Sequence, residues 1–447
     1  MGSPEERTAR RLESLRQKPH ELLLFLRAMP KGADLHTHLT GAVYAESLID
    51  WAAADGLCVD RRTSALTRGA CGTCEGQEAP VACALRDQAL YDRLVDAWSI
   101  RNWHPSRAPG HDHFFAAFDK FLPVFDRRTG DALAEIAARA AADGLVYVEL
   151  MHTADDGTVL ALGGRLGWDD DLARLRARLL AGGLAEAVAG VRSRLDRDEA
   201  RRSELLGCGT PQAKAGCEVS VRYLYQVLRG LPRELVFAQV LLAFELTRAD
   251  PRFVGFNLVM PEDWLTPMRD FDLHIRMIET LRPLYPGTRI ALHAGELAPG
   301  LVPPEGLRHH IRASVTRAGA ERIGHGVSVM HEDDPIGLLA EMARRRVLVE
   351  VCLTSNDVIL GIRGERHPLS VYRKHGVPAA LATDDQGVAR SDLTHEYLRA
   401  VETQALGYRD LKAMARASLT YSFLPPGERA QHQERLERAF ANFEKGF

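Results

Sequence analysis

Two imidazoles two positions apart, His36 and His38 in DLHTHL (34–39), close a short apolar run. Alternate side chains of a strand share one face, so both could reach a single ion. With 17 His in 447 residues, chance alone supplies roughly 0.6 such triplets, and a second does occur at His111 and His113. The first pair gains its meaning from titratable residues at the ends of other apolar runs. These are His293 and Glu296 in RIALHAGE (289–296), His325 in RIGHG (322–326), Ser355 and Asn356 in VLVEVCLTSN (347–356), and Asp384 and Asp385 in AALATDD (379–385). Three neutral imidazoles and one carboxylate suit zinc and leave a coordination position open to water. Zinc lowers the pKa of water from about 15.7 to about 7, on the order of 12 kcal/mol of easier deprotonation, so the expected nucleophile is metal-bound hydroxide. One Zn2+ per chain is expected, because FVGFNLVM (253–260) offers no Lys that could be carbamylated to bridge a second metal.

The elements that must position this set can be read from the same runs. Together with ADLHTHL (33–39), LVYVELM (145–151), VSVRYLYQV (219–227) and FVGFNLVM (253–260) they make eight candidate strands. Between them lie stretches such as DALAEIAARAAA, PRELVFAQVLLAFELT, FDLHIRMIETLRPLY, PIGLLAEMARRR and HPLSVYRKHG, with apolar residues at helical spacing. Near-continuous Val, Ile, Leu and Ala implies strands buried on both faces, as in a parallel sheet covered by helices. The alternation predicts an α/β (β/α)8 TIM barrel, with a doubly wound open sheet as runner-up. No Gly-rich phosphate fingerprint follows the first strand, which weighs against the open sheet. A barrel of this kind carries its site at the C-terminal strand ends, where the titratable set falls. HDHFF (111–115) precedes a helical pattern and lies at no strand end, so His111 and His113 read as surface or capping residues.

The organisation predicted is an N-terminal helical extension (1–30), a barrel (31–425) interrupted by a cysteine-bearing insertion (53–100), and a C-terminal helix (426–447). Residues 154–216 read as a helical excursion closed by Cys208 and Cys217. Cys58, Cys71, Cys74 and Cys83 favour disulfides, with a structural zinc at Cys71 and Cys74 as the alternative, because the flanking spacings fit no common zinc module. Cys352, inside the seventh run, is expected to be buried and inert. The net charge of -3 gives no footprint for nucleic acid. No apolar run approaches the ~18 residues of a membrane span. The charged start lacks an apolar leader core; a periplasmic or secreted location follows if the cysteines are paired and a leader was removed, a cytoplasmic one otherwise. The N-terminal helix and the insertion offer surfaces for a homodimer.

MPKGADLHTHLTGA, LHAGE, RIGHG, EVCLTSN, HPL and TDD, in that order and spacing, resemble the adenosine deaminase family of metal-dependent hydrolases. The cysteines, SIRNW (99–103) and HDHFFAAFDKF look more like its secreted, growth-factor-type branch and bacterial relatives. The resemblance implies zinc held by His36, His38, His293 and Asp384, and hydrolytic deamination of a 6-aminopurine nucleoside such as adenosine or deoxyadenosine. Glu296 would protonate a purine ring nitrogen, His325 would orient and help deprotonate the water, and Asp385 would hydrogen-bond the five-membered ring. Ser355 and Asn356 would support the site. His38, Thr40, Met260 and Asp385 would face substrate. Three positions depart from the family pattern: Thr40 replaces an acid that contacts the sugar, Asn257 an Asp, and Met260 a Gly whose amide approaches the purine. These departures leave open a modified or differently glycosylated purine, or a ligand-binding or signalling protein on the same scaffold.

Overall fold

The computed structural model describes residues 2–447. Eight parallel strands follow one another in chain order: β1 (Gly32–His38), β2 (Leu145–His152), β3 (Ser220–Leu228), β4 (Phe253–Val259), β5 (Arg289–Ala294), β6 (Arg322–His325), β7 (Leu348–Val351) and β8 (Ala379–Leu381). Asp384, just past β8, closes the ring: its N–H donates to His36 O (2.8 Å) and its carbonyl accepts from His38 N–H (2.9 Å). Thr383 adds a 2.6 Å hydroxyl bond to Asp34 Oδ2. The fold is a (β/α)8 barrel, and its seam runs through the candidate site.

Burial on both faces explains the sequence pattern. Every residue of β2, LVYVELMH, is buried. The helix Arg233–Ala249 is buried continuously from Val236 to Leu246, because other helices cover the side turned away from the barrel. Such a helix reads as apolar all round.

Several expectations need correction. The seventh strand stops at Val351; Cys352 caps a helix, Leu353–Leu360, whose first turn carries Ser355 and Asn356. Cys352 is buried and unpaired, as expected, though outside the strand. The helical excursion breaks at Gly182 and Gly183 into Leu172–Ala181 and Leu184–Leu206. Gly183 has φ +119°, a backbone conformation that other residues rarely adopt. In the insertion, three short antiparallel strands (Cys58–Asp60, Leu66–Thr67, Glu78–Pro80) form a separate sheet.

Disulfides join Cys58 to Cys71, Cys74 to Cys83 and Cys208 to Cys217, with Cα atoms 5.3, 5.7 and 5.5 Å apart. No cysteine of the insertion is left for a structural zinc. The N-terminal helices, Pro4–Leu15 and Pro19–Ala28, turn Leu12, Leu15, Leu22 and Leu26 inward, and Phe25 packs on Tyr408 and Phe443. Their apolar faces are therefore largely spent within the chain. No helix among the described residues is long and apolar enough to cross a membrane.

Candidate metal centre and active site

His36 and His38 leave β1 on one face, His293 comes from β5, and Asp384 comes from the turn after β8. Their ligand atoms all lie within 4.8 Å of one another. His38 Nε2 is 3.3 Å from His293 Nε2 and 3.3 Å from Asp384 Oδ1; His36 Nε2 is 3.4 Å from the same oxygen. A tetrahedral ion with bonds of about 2.0–2.1 Å separates its ligands by about 3.3 Å, so the donor set fits zinc. Gly324 makes room for it, since a Cβ there would sit 2.5 Å from the His36 ring.

Each imidazole is turned by an acceptor on its other nitrogen. His36 Nδ1 meets Glu350 Oε2 at 2.6 Å, His38 Nδ1 meets Gln226 Oε1 at 2.6 Å, and His293 Nδ1 meets Asn257 Oδ1 at 2.9 Å. A proton held on Nδ1 leaves the Nε2 lone pair free for a metal. His36 Nε2 has no hydrogen-bond partner although it is fully buried. Asn257, expected to bear on substrate, instead accepts both the ring and the backbone N–H of His293. Behind Glu350 stands Arg322, wholly buried, 2.6 Å from Glu350 Oε1 and 2.6 Å from Glu149 Oε2. Sequence reading did not single out Glu350, Glu149, Arg322 or Gln226. For Glu149 and Glu350, a lone charge inside a strand that is otherwise apolar was the available signal, because such a charge survives burial only with a partner.

Glu296 follows β5 in a loop held from beneath. Glu262 accepts the backbone N–H of Gly295 (3.1 Å) and of Glu296 (2.8 Å), and meets His310 Nδ1 at 2.5 Å. Arg229 donates to the carbonyls of His293 and Met260, both at 3.0 Å. Burial works to raise the Glu262 pKa, but His310, Arg229 and the Gly295 amide together bring it down to about 2. The Glu296 carboxyl goes the other way: burial, then the nearby Asp384 and Glu262 charges, push it well above the usual carboxylate range. His325 Nε2 lies 3.7 Å from Glu296 Oε1. Asp385 packs so closely on Gly41 that a Cβ there would fall 1.7 Å from its Oδ1, which is buried without a partner.

His325 (φ +67°), Asp384 (φ +60°) and Met260 (φ +81°) all hold left-handed backbone conformations at strand ends facing the site. Such conformations cost on the order of 1–3 kcal/mol each and persist only where surroundings fix them. They open on a cavity of about 1160 Å³ that reaches His38, His293, Glu296, His325, Asp384 and Asp385 at its floor. Thr40 and Met260 line it, as do Phe114, Phe115 and Phe118. His111, partly exposed, also lines it and meets Asp263 at 3.0 Å, so it belongs to the cavity wall rather than capping a helix. His113 faces away, bonded to Ser99 O.

A family model described as Adenosine deaminase matches residues 189–439, more than half of the chain. The chain belongs to the adenosine deaminase family. The match spans β3 to β8; His36 and His38 lie ahead of it. Curated relatives include the adenosine deaminase of Klebsiella pneumoniae, 37% identical over 153 residues, which are 34% of this chain and 43% of that protein. That of Salmonella heidelberg is 35% identical over 154 residues, again 34% and 43%. The chain thus aligns with less than half the length of these relatives. Among solved structures, the Arabidopsis N6-mAMP deaminase shares the fold at TM-score 0.57 and 21% identity, covering 92% of this chain and 99% of that one. A Burkholderia ambifaria amidohydrolase with bound zinc shares it at TM-score 0.58 and 16% identity, covering 94% of each chain.

Proposed function

We propose that this adenosine deaminase family member hydrolyses the exocyclic amine of a 6-aminopurine nucleoside, giving the 6-oxopurine and ammonia. The observation that carries the reading is the meeting of a zinc-compatible donor set with a buried carboxyl, Glu296, in one cavity. His36, His38, His293 and Asp384 would hold the metal. Zinc bound there supplies the Lewis acidity that makes water nucleophilic near neutral pH. His325 orients the attacking water. Asp385, with its unpartnered oxygen, orients the purine through the five-membered ring. Glu296, kept protonated by its surroundings, gives its proton to a six-membered-ring nitrogen as the carbon bearing the amine becomes tetrahedral. The C–N bond then breaks: the amine leaves as ammonia carrying one proton of the water, the other proton returns to the Glu296 carboxylate, and the oxygen of water remains on the ring.

A second reading, a modified or differently glycosylated purine, is favoured by the cavity. At about 1160 Å³ it exceeds the ~300–1000 Å³ of most small-molecule sites, and Met260 replaces the small residue of the family pattern. Zinc-loaded protein incubated with adenosine, deoxyadenosine, adenine and N6-substituted analogues, followed by ammonia release and the ultraviolet shift, separates the two. Release from none of the panel, with zinc occupancy confirmed by elemental analysis, overturns the purine reading. Separately, we propose a homodimer through the insertion, checked by sedimentation.

A further inference from the structure

Beyond the metal ligands, a buried chain of hydrogen bonds runs from the backbone to His325. Leu369 N–H donates to His367 Nδ1 at 3.2 Å. His367 Nε2 meets Asn356 Oδ1 at 3.1 Å, and Asn356 Nδ2 meets His325 Nδ1 at 3.0 Å. All three side chains are at most 1% exposed.

The direction of this chain is not free. A backbone N–H can only donate, so His367 Nδ1 must accept. A neutral imidazole with a bare Nδ1 carries its proton on Nε2 and donates to the amide oxygen. The amide group of Asn356 then has only its NH2 to offer His325, whose Nδ1 must in turn be bare. Burial keeps His367 neutral by pushing its pKa down to about 4.

We propose that His367 and Asn356 are positioning residues that fix His325 as the Nε2–H tautomer, presenting a hydrogen-bond donor rather than a proton acceptor to the reacting water. His325 Nε2 is buried, lacks a partner within the chain and faces Glu296. A nitrogen that already bears a proton can hold the water oxygen in place but cannot take its proton. Of the two roles the sequence suggests for His325, orientation therefore stands and deprotonation does not. What His325 does to water rests on the deaminase reading; its tautomer does not.

The test uses the full-length, zinc-loaded protein labelled with 15N-histidine, with the His325 signals assigned by their loss in His325→Gln. Expected are a protonated Nε2 and a bare Nδ1 in the wild type. Asn356→Asp places an acceptor at Nδ1 and moves a proton there. By analogy with tautomer reversal in a catalytic triad, kcat falls by about 10³–10⁴-fold, with KM changed less than about threefold. His367→Phe frees the amide and gives mixed tautomers, and His367→Gln, which keeps a donor, restores the wild-type pattern. A protonated Nδ1 in the wild type overturns the proposal, even if Asn356→Asp fails to fold. Ammonia release by the wild type is scored separately. Activity with the wrong tautomer sinks this inference alone; the right tautomer without activity on any purine sinks the deaminase reading alone.

Discussion

Two irregular segments hang from the barrel, and they are fastened by opposite means. The loop carrying Glu296 after β5 has no covalent tie. It is fixed by both oxygens of Glu262, by Arg229 on two carbonyls and by the left-handed turn at Gly295. The insertion after β1 has strands of only two or three residues, packs Val59, Ala79 and Val81 into the core, and carries disulfides that span 13 and 9 positions. A crosslink limits how far a segment can wander but says little about where each side chain points. Directional hydrogen bonds in a dry environment fix orientation, which a proton donor needs. The molecule places the loose tether where it needs only cohesion and the polar network where it needs aim.

That contrast can be broken from either side. The largest effect on turnover is expected at the proposed acid, Glu296. Glu296→Gln keeps the shape but has no acidic proton, and kcat should fall by about 10²–10⁴-fold while ligand binding persists. Steady-state kinetics beside calorimetric titration with a non-hydrolysed purine would reveal it, and unchanged turnover would remove Glu296 from the mechanism.

Next comes the support of the proposed metal ligands: Glu350→Gln should weaken zinc affinity by about 10–100-fold, read by competition with a chromophoric chelator. Unaltered affinity would mean that the contact with His36 only fills space.

Smaller in turnover, but visible in stability, is Glu262. Its folded pKa of about 2 lies below the unfolded value near 4.3. Its contribution is therefore complete above about pH 4.3 and lost as pH falls toward 2, on the order of 3 kcal/mol in all. Denaturant midpoints measured between pH 6 and 3 should decline less steeply in Glu262→Gln than in the wild type. Parallel curves would deny Glu262 this role.

Least should happen to chemistry when the insertion is untied. Cys58→Ser with Cys71→Ser should leave kcat within about twofold while lowering local stability by up to ~3 kcal/mol, seen as faster amide exchange across residues 58–83. A large loss of kcat would show that the insertion also aims catalytic groups.

How much could be read in advance differs between elements for identifiable reasons. β2, β3, β4 and β5 were legible because long Val- and Leu-rich runs admit one interpretation once helical segments separate them. VLVEVCLTSN misled because its apolar residues continue past the true strand end; the chain turns into a helix at Cys352, and nothing local marks the switch. His111 read as peripheral because its helix starts at no strand end, yet the fold brings that helix over the cavity mouth. Asn356 was visible as a supporting residue, but the polarity it passes to His325 depends on His367 and on one backbone amide.

The sequence by itself determined the alternation of strands and helices, and with it the barrel, because hydrophobic periodicity is a local property of the chain. It also determined which residue types stand at the strand ends. Tertiary structure alone decided that Asp384 closes the ring beside His36 and His38, and which nitrogen of each imidazole faces inward. It also decided that burial raises the pKa of Glu296 while His310, Arg229 and a backbone amide lower that of Glu262. Those properties arise from groups tens or hundreds of positions apart held within about 3 Å in a medium that screens little, and no linear pattern encodes such proximity.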